Sequence, residues 1–551
     1  MRWVLAWLAL LWGCARDGGR PQFVDVAEQA GVQWVTVSGT PAKRHIVECT
    51  TGGLGLFDYD GDGDLDLFLV NGSRLEGFAP GQVPRAALYR NDGNWRFTEV
   101  GKQTGVDHVG WGMGCAVVDY DGDGWLDLYL TDYGRNALYH NDGNGKFTEV
   151  GAQLGVDEPG WSTGAAFGDY DGDGDLDFYL AKYIDFDPDY IPADMSFCTW
   201  HGISVFYGPR GMPGAQDKFF RNDGSQRGWR FAEISAQVGI DDHRYYGFAA
   251  VAGDYDNDGD IDIYVANDST PKLLFRNDGG HFSEIAMLAG CAYSEDGREQ
   301  GSMGIAVGDP DNDGDLDLFV TNFSHDNNTF YQNNGRGFFT DISFATSLGA
   351  SSIGSLGWGT EFFDYDNDGD EDLFVANGHV YPQVDQHDLG TTYAQRNQLF
   401  ENNGHGDFIE VTLQTGPGMQ VEKSSRGTAV GDLDNDGDLD LVVLNIDDRP
   451  TLLRNDGGNR QNWLLVELRQ EGMNRYAVGA RVTLWAGQRQ QLREVRAGTG
   501  YLSQNDLRLH FGLGKEQVVE RLVVRWPDGT EEVLGKVAAN QLIQVRRGER
   551  K

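Results

Sequence analysis

Residues 57–71 read FDYDGDGDLDLFLVN, with aspartates at 58, 60, 62, 64 and 66. Five carboxylates in nine positions repel one another strongly unless positive charge sits among them. Acids at loop positions 1, 3 and 5, a glycine at position 6 for a sharp turn and an aspartate at position 9 suit calcium, which takes six to eight oxygens at about 2.3–2.6 Å. The backbone carbonyl of position 7 completes such a cage, so the side chain there is free to vary. An EF-hand is excluded, because position 12 is Leu69 rather than glutamate. The flanks GGLGLFD and LDLFLVN are short and apolar, as in strand–loop–strand.

The pattern occurs seven times, at intervals of 61, 50, 85, 55, 55 and 68 residues. The metal ligands expected are Asp58, Asp60, Asp62, Asp64 and Asp66; Asp119, Asp121, Asp123, Trp125 (through its carbonyl) and Asp127; and Asp169, Asp171, Asp173, Asp175 and Asp177. The later copies add Asp254, Asp256, Asp258, Asp260 and Asp262; Asp309, Asp311, Asp313, Asp315 and Asp317; Asp364, Asp366, Asp368, Asp370 and Asp372; and Asp432, Asp434, Asp436, Asp438 and Asp440. About seven calcium ions are therefore expected, one per repeat.

After each loop comes a second signature, such as ALYRNDG, ALYHNDG or TFYQNNG, whose Asn-Asp-Gly or Asn-Asn-Gly favours a tight hairpin. A short strand such as RFTEV follows. Four antiparallel strands per repeat make a propeller blade, so the fold expected is an all-β, seven-bladed β-propeller with a calcium loop in each blade and a small β-rich C-terminal domain. The seventh repeat lacks its outer strand, whereas QFVDVAEQAGV near the start of the chain has no loop before it. Phe23 to Val26 should supply that strand and close the ring, which removes an exposed sheet edge.

The 551 residues carry a formal charge of −41, which excludes nucleic acid as a partner. From Arg460 onward the balance reverses, with 16 basic against 10 acidic residues, which suggests either docking of this tail on the acidic ring or a simple solvated surface. MRWVLAWLALLWGC has one arginine and then an apolar run too short to span a bilayer, the shape of an export leader. Its end resembles a bacterial lipoprotein box with Cys14 as the lipidated residue; the alternative is ordinary secretion with a nearby cut. The divisions expected are a leader at 1–20, the propeller at 21–459 and the tail domain at 460–551. Cys49, Cys115, Cys198 and Cys291 are too scattered for a zinc site.

The loops with their RNDG hairpins resemble the FG-GAP/VCBS repeats of integrin-α-type propellers. YAVGARVTLWAG, REVRAGTGYLSQND, LHFGLG and VRWPDG resemble the ASPIC/UnbV domain. Together with ANGHVYP they resemble the bacterial relatives of cartilage acidic protein. The segment CTWHGISVFYGPRGMPG resembles a family segment with a second cysteine where Tyr207 stands here, which implies that Cys198 has no such partner.

Cys198 and His201 lie in the longest stretch between loops, 181–218, which is either a ligand-binding elaboration or a capping loop. His379 reads as a structural, hydrogen-bonded side chain. Trp111, Trp161, Tyr245, Tyr246 and Trp358 precede loops and read as packing residues, or else line the ring's channel to stack sugars. No nucleophile elbow, zinc helix or phosphate loop is present. The expectation is a non-enzymatic, exported binding or adhesion protein, an outer-membrane or cell-surface lipoprotein or else periplasmic or extracellular, for a glycan or an envelope or extracellular protein. The alternative is a polysaccharide-acting enzyme with its site in the ring centre or the 181–218 insertion.

Overall fold

The computed structural model describes residues 19–79, 81–190, 198–224, 229–240 and 243–549. The leader and Cys14 lie outside them.

Seven four-stranded antiparallel units follow one another along the chain. Blade 1 is Leu54–Phe57, Asp66–Leu69, Ala87–Asn91 and Phe97–Glu99. Blades 2 to 6 repeat this order from Gly112–Val118, Pro159–Gly168, Gly247–Gly253, Ser302–Gly308 and Gly357–Phe363. Blade 7 holds Ser425–Gly431, Asp440–Asn445 and Thr451–Asp456, and its fourth strand is Gln22–Asp25, paired antiparallel with Thr451–Asp456. The two ends of the propeller thus share one sheet, as the missing seventh outer strand requires.

Within each blade the leading strand is innermost, and neighbouring leading strands pack against each other all the way round, from blade 1 through to blade 7 and back. They come close enough to require glycine: a Cβ on Gly304 would lie 2.1 Å from the Trp358 carbonyl, and one on Gly427 2.2 Å from that of Gly52. Outside the outer strands of blades 1 to 4 sit single helical turns, for example Gly101–Thr104, each ended by a left-handed glycine such as Gly105.

The C-terminal domain pairs Asn462–Arg469 with Leu509–Gly514 and, in parallel, with Gln541–Arg546. Its second sheet runs Arg489–Glu494, Arg481–Ala486, Arg521–Arg525, Glu531–Leu534. It docks on the face of the ring that carries the acidic loops. Buried Arg481 donates to Glu494 Oε2 at 2.7 Å, to Asn257 Oδ1 at 2.6 Å and to the Asp254 carbonyl. Arg489 meets Asp370 at 2.8 Å, Arg493 meets Glu371 at 3.1 Å and Arg525 meets Asp254 at 3.2 Å. The basic excess of the tail faces the acidic ring.

Between Arg489–Glu494 and Leu509–Gly514 a loop enters the ring and fills its channel. Phe167 N–H donates to Ala497 O at 3.0 Å, Ile305 N–H to Gly500 O at 3.2 Å, Cys115 N–H to Leu502 O at 3.1 Å and Leu56 N–H to Gln504 O at 3.0 Å. Every leading strand is an edge on its channel side, and unpaired buried amides are costly; the plug supplies backbone acceptors for four of them, and Asn505 Oδ1 accepts from Val430 N–H of blade 7 at 3.0 Å.

Candidate metal loops and channel-mouth pocket

Position 6 of every loop is a glycine in the left-handed region, from Gly63 at φ 94° to Gly437 at φ 96°. Position 4 is left-handed too, which explains why only glycine (61, 122, 172) or asparagine (257, 312, 367, 435) stands there. The position-1 carboxylate braces the turn: Asp119 accepts from Asp123 N–H at 3.1 Å and Gly124 N–H at 3.0 Å.

Oxygens of positions 1, 3 and 5 or 9 gather within 4.8 Å of one another in Asp58–Asp60–Asp62, Asp119–Asp121–Asp127, Asp169–Asp171–Asp173 and Asp254–Asp256–Asp262. Several of these oxygens are buried without a hydrogen-bond donor, among them Asp60 Oδ1, Asp169 Oδ1, Asp177 Oδ2, Asp254 Oδ1 and Asp317 Oδ2. Burial pushes the Asp66, Asp119 and Asp309 carboxyls up to about 8 and raises those of Asp177, Asp262, Asp372 and Asp440 well above the usual carboxylate range.

Three position-7 side chains reach neighbouring blades. Asp64 accepts from Asn435 at 2.7 Å, Asp315 from Asn257 at 2.8 Å and Asp370 from Asn312 at 3.2 Å. Their donors are the left-handed asparagines of position 4, so one residue type meets both demands.

The asparagine of each RNDG-type hairpin does more than turn the chain. Its N–H donates to its own blade's position-9 aspartate, as Asn91 does to Asp66 and Asn277 to Asp262, both at 2.8 Å. Its side-chain amide reaches the position-2 carbonyl of the preceding blade. Asn141 reaches Tyr59, Asn222 Tyr120, Asn277 Tyr170, Asn333 Tyr255, Asn402 Pro310 and Asn455 Tyr365. Asn91 closes the circle on Leu433 of blade 7 at 2.8 Å. Replacing Asn277 by alanine leaves the Tyr170 and Ile261 carbonyls without this donor; urea unfolding should show a loss of about 1–3 kcal/mol.

Sequence reasoning missed His140. It stands where four other blades carry an arginine, and that substitution was the available signal. Its Nδ1 lies 3.2 Å from Asp127 Oδ1 and 3.5 Å from Asp121 Oδ2. The Asp127 carboxylate beside it, outweighing burial, raises it to about 9.

At the opposite face, where leading strands begin, the channel mouth forms a pocket of about 480 Å³. Its floor includes Trp358 and Phe248, which pack on the plug's Tyr501 with ring centres 5.0 and 5.9 Å away. Its wall comes from the insertion, whose hairpin Thr199–Trp200 and Ile203–Ser204 reaches over to blades 5 and 6. Trp200 is seated among His325, His379 and Tyr381, with ring centres 5.2, 5.0 and 6.1 Å away. The insertion therefore both caps the ring and shapes a pocket.

Trp111, Trp161, Tyr246 and Trp358 are buried in the apolar cluster at the ring centre, and Tyr245 is half-buried beside His243. His379 is buried, accepts from Tyr381 N–H at 3.0 Å and is pushed down to about 3 by desolvation, which keeps it neutral. His201 lines the pocket beside His325. Cys49, Cys115, Cys198 and Cys291 are all free thiols. Among the described residues no helix is long and apolar enough to cross a membrane.

A family model described as an FG-GAP-like repeat matches residues 58–130, 119–180, 254–320, 309–375 and 386–443, and one described as ASPIC and UnbV matches 470–551. Cartilage acidic protein 1 of Xenopus tropicalis is 30% identical over 311 residues, 54% of this chain and 44% of the relative. Its Homo sapiens counterpart is 28% identical over 323 residues, 57% and 45% respectively. The chain thus aligns with less than half the length of these relatives. Among solved structures, an Agrocybe aegerita lectin that recognises non-reducing terminal N-acetylglucosamine superposes with a TM-score of 0.37 at 16% identity, covering 68% of this chain and 88% of the lectin.

Proposed function

The chain belongs to the family of FG-GAP-like repeat proteins with a C-terminal ASPIC and UnbV domain, and from that membership we propose that it is an exported, calcium-stabilised binding module of the cell envelope. Its ligand is a glycan or an envelope protein held at the channel mouth. The observation that carries this reading is the plug: Tyr501 and Leu502 fill the ring centre, so the pocket under Trp200 is what the channel offers a ligand. An enzyme site in the ring centre would have to displace them.

Calcium fits the loops by donor chemistry: hard oxygens, several of them buried and undonated, at the spacing a hard divalent cation takes. Positions 1, 3, 5 and 9 would hold it with side chains and position 7 with its carbonyl. The bound charge lets the carboxylates stay ionised while the hairpins and the plug remain in register. Its part is structural rather than chemical.

Export rests on the apolar leader and anchoring on Cys14; a lipid there would tether the chain to the outer membrane by its N-terminus.

The test is capture of envelope glycans and proteins by the purified chain in calcium and in chelator. Capture is expected in calcium and should fall at least about tenfold with Trp200→Ala, a hot-spot-sized loss, while the melting temperature holds within a few degrees. Equal capture by the variant would remove the pocket from the reading, and turnover of a captured glycan would favour the enzyme.

A further inference from the structure

The mouth pocket is walled by Trp200, Phe206, Phe323 and Tyr381 and is also lined by the carboxylates Asp268 and Asp326. Neutral donors serve both acids. Asp268 Oδ2 accepts from the Tyr183 hydroxyl at 2.6 Å and Oδ1 from the Ser269 hydroxyl at 2.9 Å. Asp326 Oδ1 accepts from Asn327 N–H at 2.9 Å and the Gln300 amide at 3.2 Å. Among the described residues, no lysine or arginine lies within ion-pair distance of either.

The two arginines that line the pocket are matched otherwise: Arg298 pairs with Asp296 at 2.5 Å, and Arg210 lies 3.9 Å from Glu299. Burial raises the Asp268 carboxyl, outweighing the hydrogen bonds from Tyr183 and Ser269 and the more distant charge of Arg210. The aromatic core beneath shows the complementary half. There the buried Arg426 guanidinium sits 4.0 Å from the centre of the Trp358 ring, a cation held against an aromatic face.

Aromatic walls and carboxylates without a direct ion pair in one concave site are complementary to a positively charged organic group. We propose that the channel mouth binds a small ligand through an alkylammonium group, set against the aromatic walls with Asp268 and Asp326 supplying the counter-charge. This rests on the reading of the mouth as the ligand pocket and names the chemistry of what it takes. A neutral sugar would satisfy the hydroxyl-accepting oxygens but give neither carboxylate a direct ion partner.

The test is titration calorimetry of the calcium-loaded full chain with choline, with its neutral isostere 3,3-dimethylbutan-1-ol, and with N-acetylglucosamine. Choline should bind, and the isostere should bind at least about tenfold more weakly, the size of a desolvated cation–aromatic contact with counter-charge. Asp268→Asn should weaken choline by a similar factor, and Asp326→Asn serves as a second variant should the first disturb the floor.

Equal binding of the isostere, or choline binding indifferent to both variants, would overturn the proposal. Binding of N-acetylglucosamine alone, abolished by Trp200→Ala, would also overturn it but keep the pocket as the ligand site. No binding of any probe, with envelope capture unaffected by Trp200→Ala, would remove both.

Discussion

Adding a calcium chelator to the purified chain is expected to lower its melting temperature by on the order of 15 °C. An ion present at about a hundred times its dissociation constant stabilises by about 2.7 kcal/mol per site, and seven such sites act on one ring. Unfolding entropy of roughly 2 cal/mol/K per residue converts that total into the expected shift. Differential scanning calorimetry with and without chelator checks it, and restoration by added calcium but not magnesium identifies the ion.

The pH dependence should also change sign. Without ions the folded-state loop carboxyls sit above their unfolded value near 3.8: Asp66, Asp119 and Asp309 at about 8, Asp432 at about 7. A raised folded-state value gives stability that is complete below the unfolded value and lost as pH rises through the folded one. Chelated protein should therefore melt higher at pH 5.5 than at pH 8. With calcium holding the carboxylates ionised, stability is present at high pH and lost as protons compete, so loaded protein should melt higher at pH 8. A chelated protein that melts like the loaded one at both pH values would remove calcium from the account.

The second large effect concerns the plug. Tyr501→Ala should destabilise the chain by about 3–5 kcal/mol, the range for emptying a buried aromatic site. Tyr501 is wholly buried, packs on Trp358 and Phe248, and donates its hydroxyl to the Thr50 carbonyl at 2.8 Å. Tyr501→Phe keeps the ring and loses only that bond, about 1–2 kcal/mol. Because the plug is continuous with the C-terminal domain, the alanine variant should also be cut faster by protease between 455 and 465. Raising salt should speed that cleavage in the wild type only modestly, since screening weakens contacts such as Arg489–Asp370 but leaves the plug's backbone hydrogen bonds intact. Unchanged cleavage of the alanine variant would mean that the plug does not hold the domain on the ring.

Both effects trace to features of different legibility. The loops could be read because their demands are local: left-handed backbone at positions 4 and 6 admits glycine or asparagine, and oxygen crowding admits aspartate. The blade count and the closing strand followed from the same periodicity. The single helical turns after the outer strands were missed, although QTGV, QLGV and QVGI recur there, because four residues are too few to show a helical period.

Taken alone, the sequence determined the seven loops, the four-stranded repeat, the shared last sheet and the opposite charge of the tail. Each is written in neighbouring residues or in composition. Tertiary structure alone decided that hairpin asparagines staple each blade to the one before, that three position-7 aspartates reach neighbouring blades, that a loop of the tail domain enters the ring, and that two carboxylates meet aromatic walls at its mouth. Those contacts join residues as far apart as Asn91 and Leu433, 342 positions along the chain. Closing a ring brings such distant groups together, and no local pattern records which backbone amides a channel leaves unpaired until the strands that line it are in place.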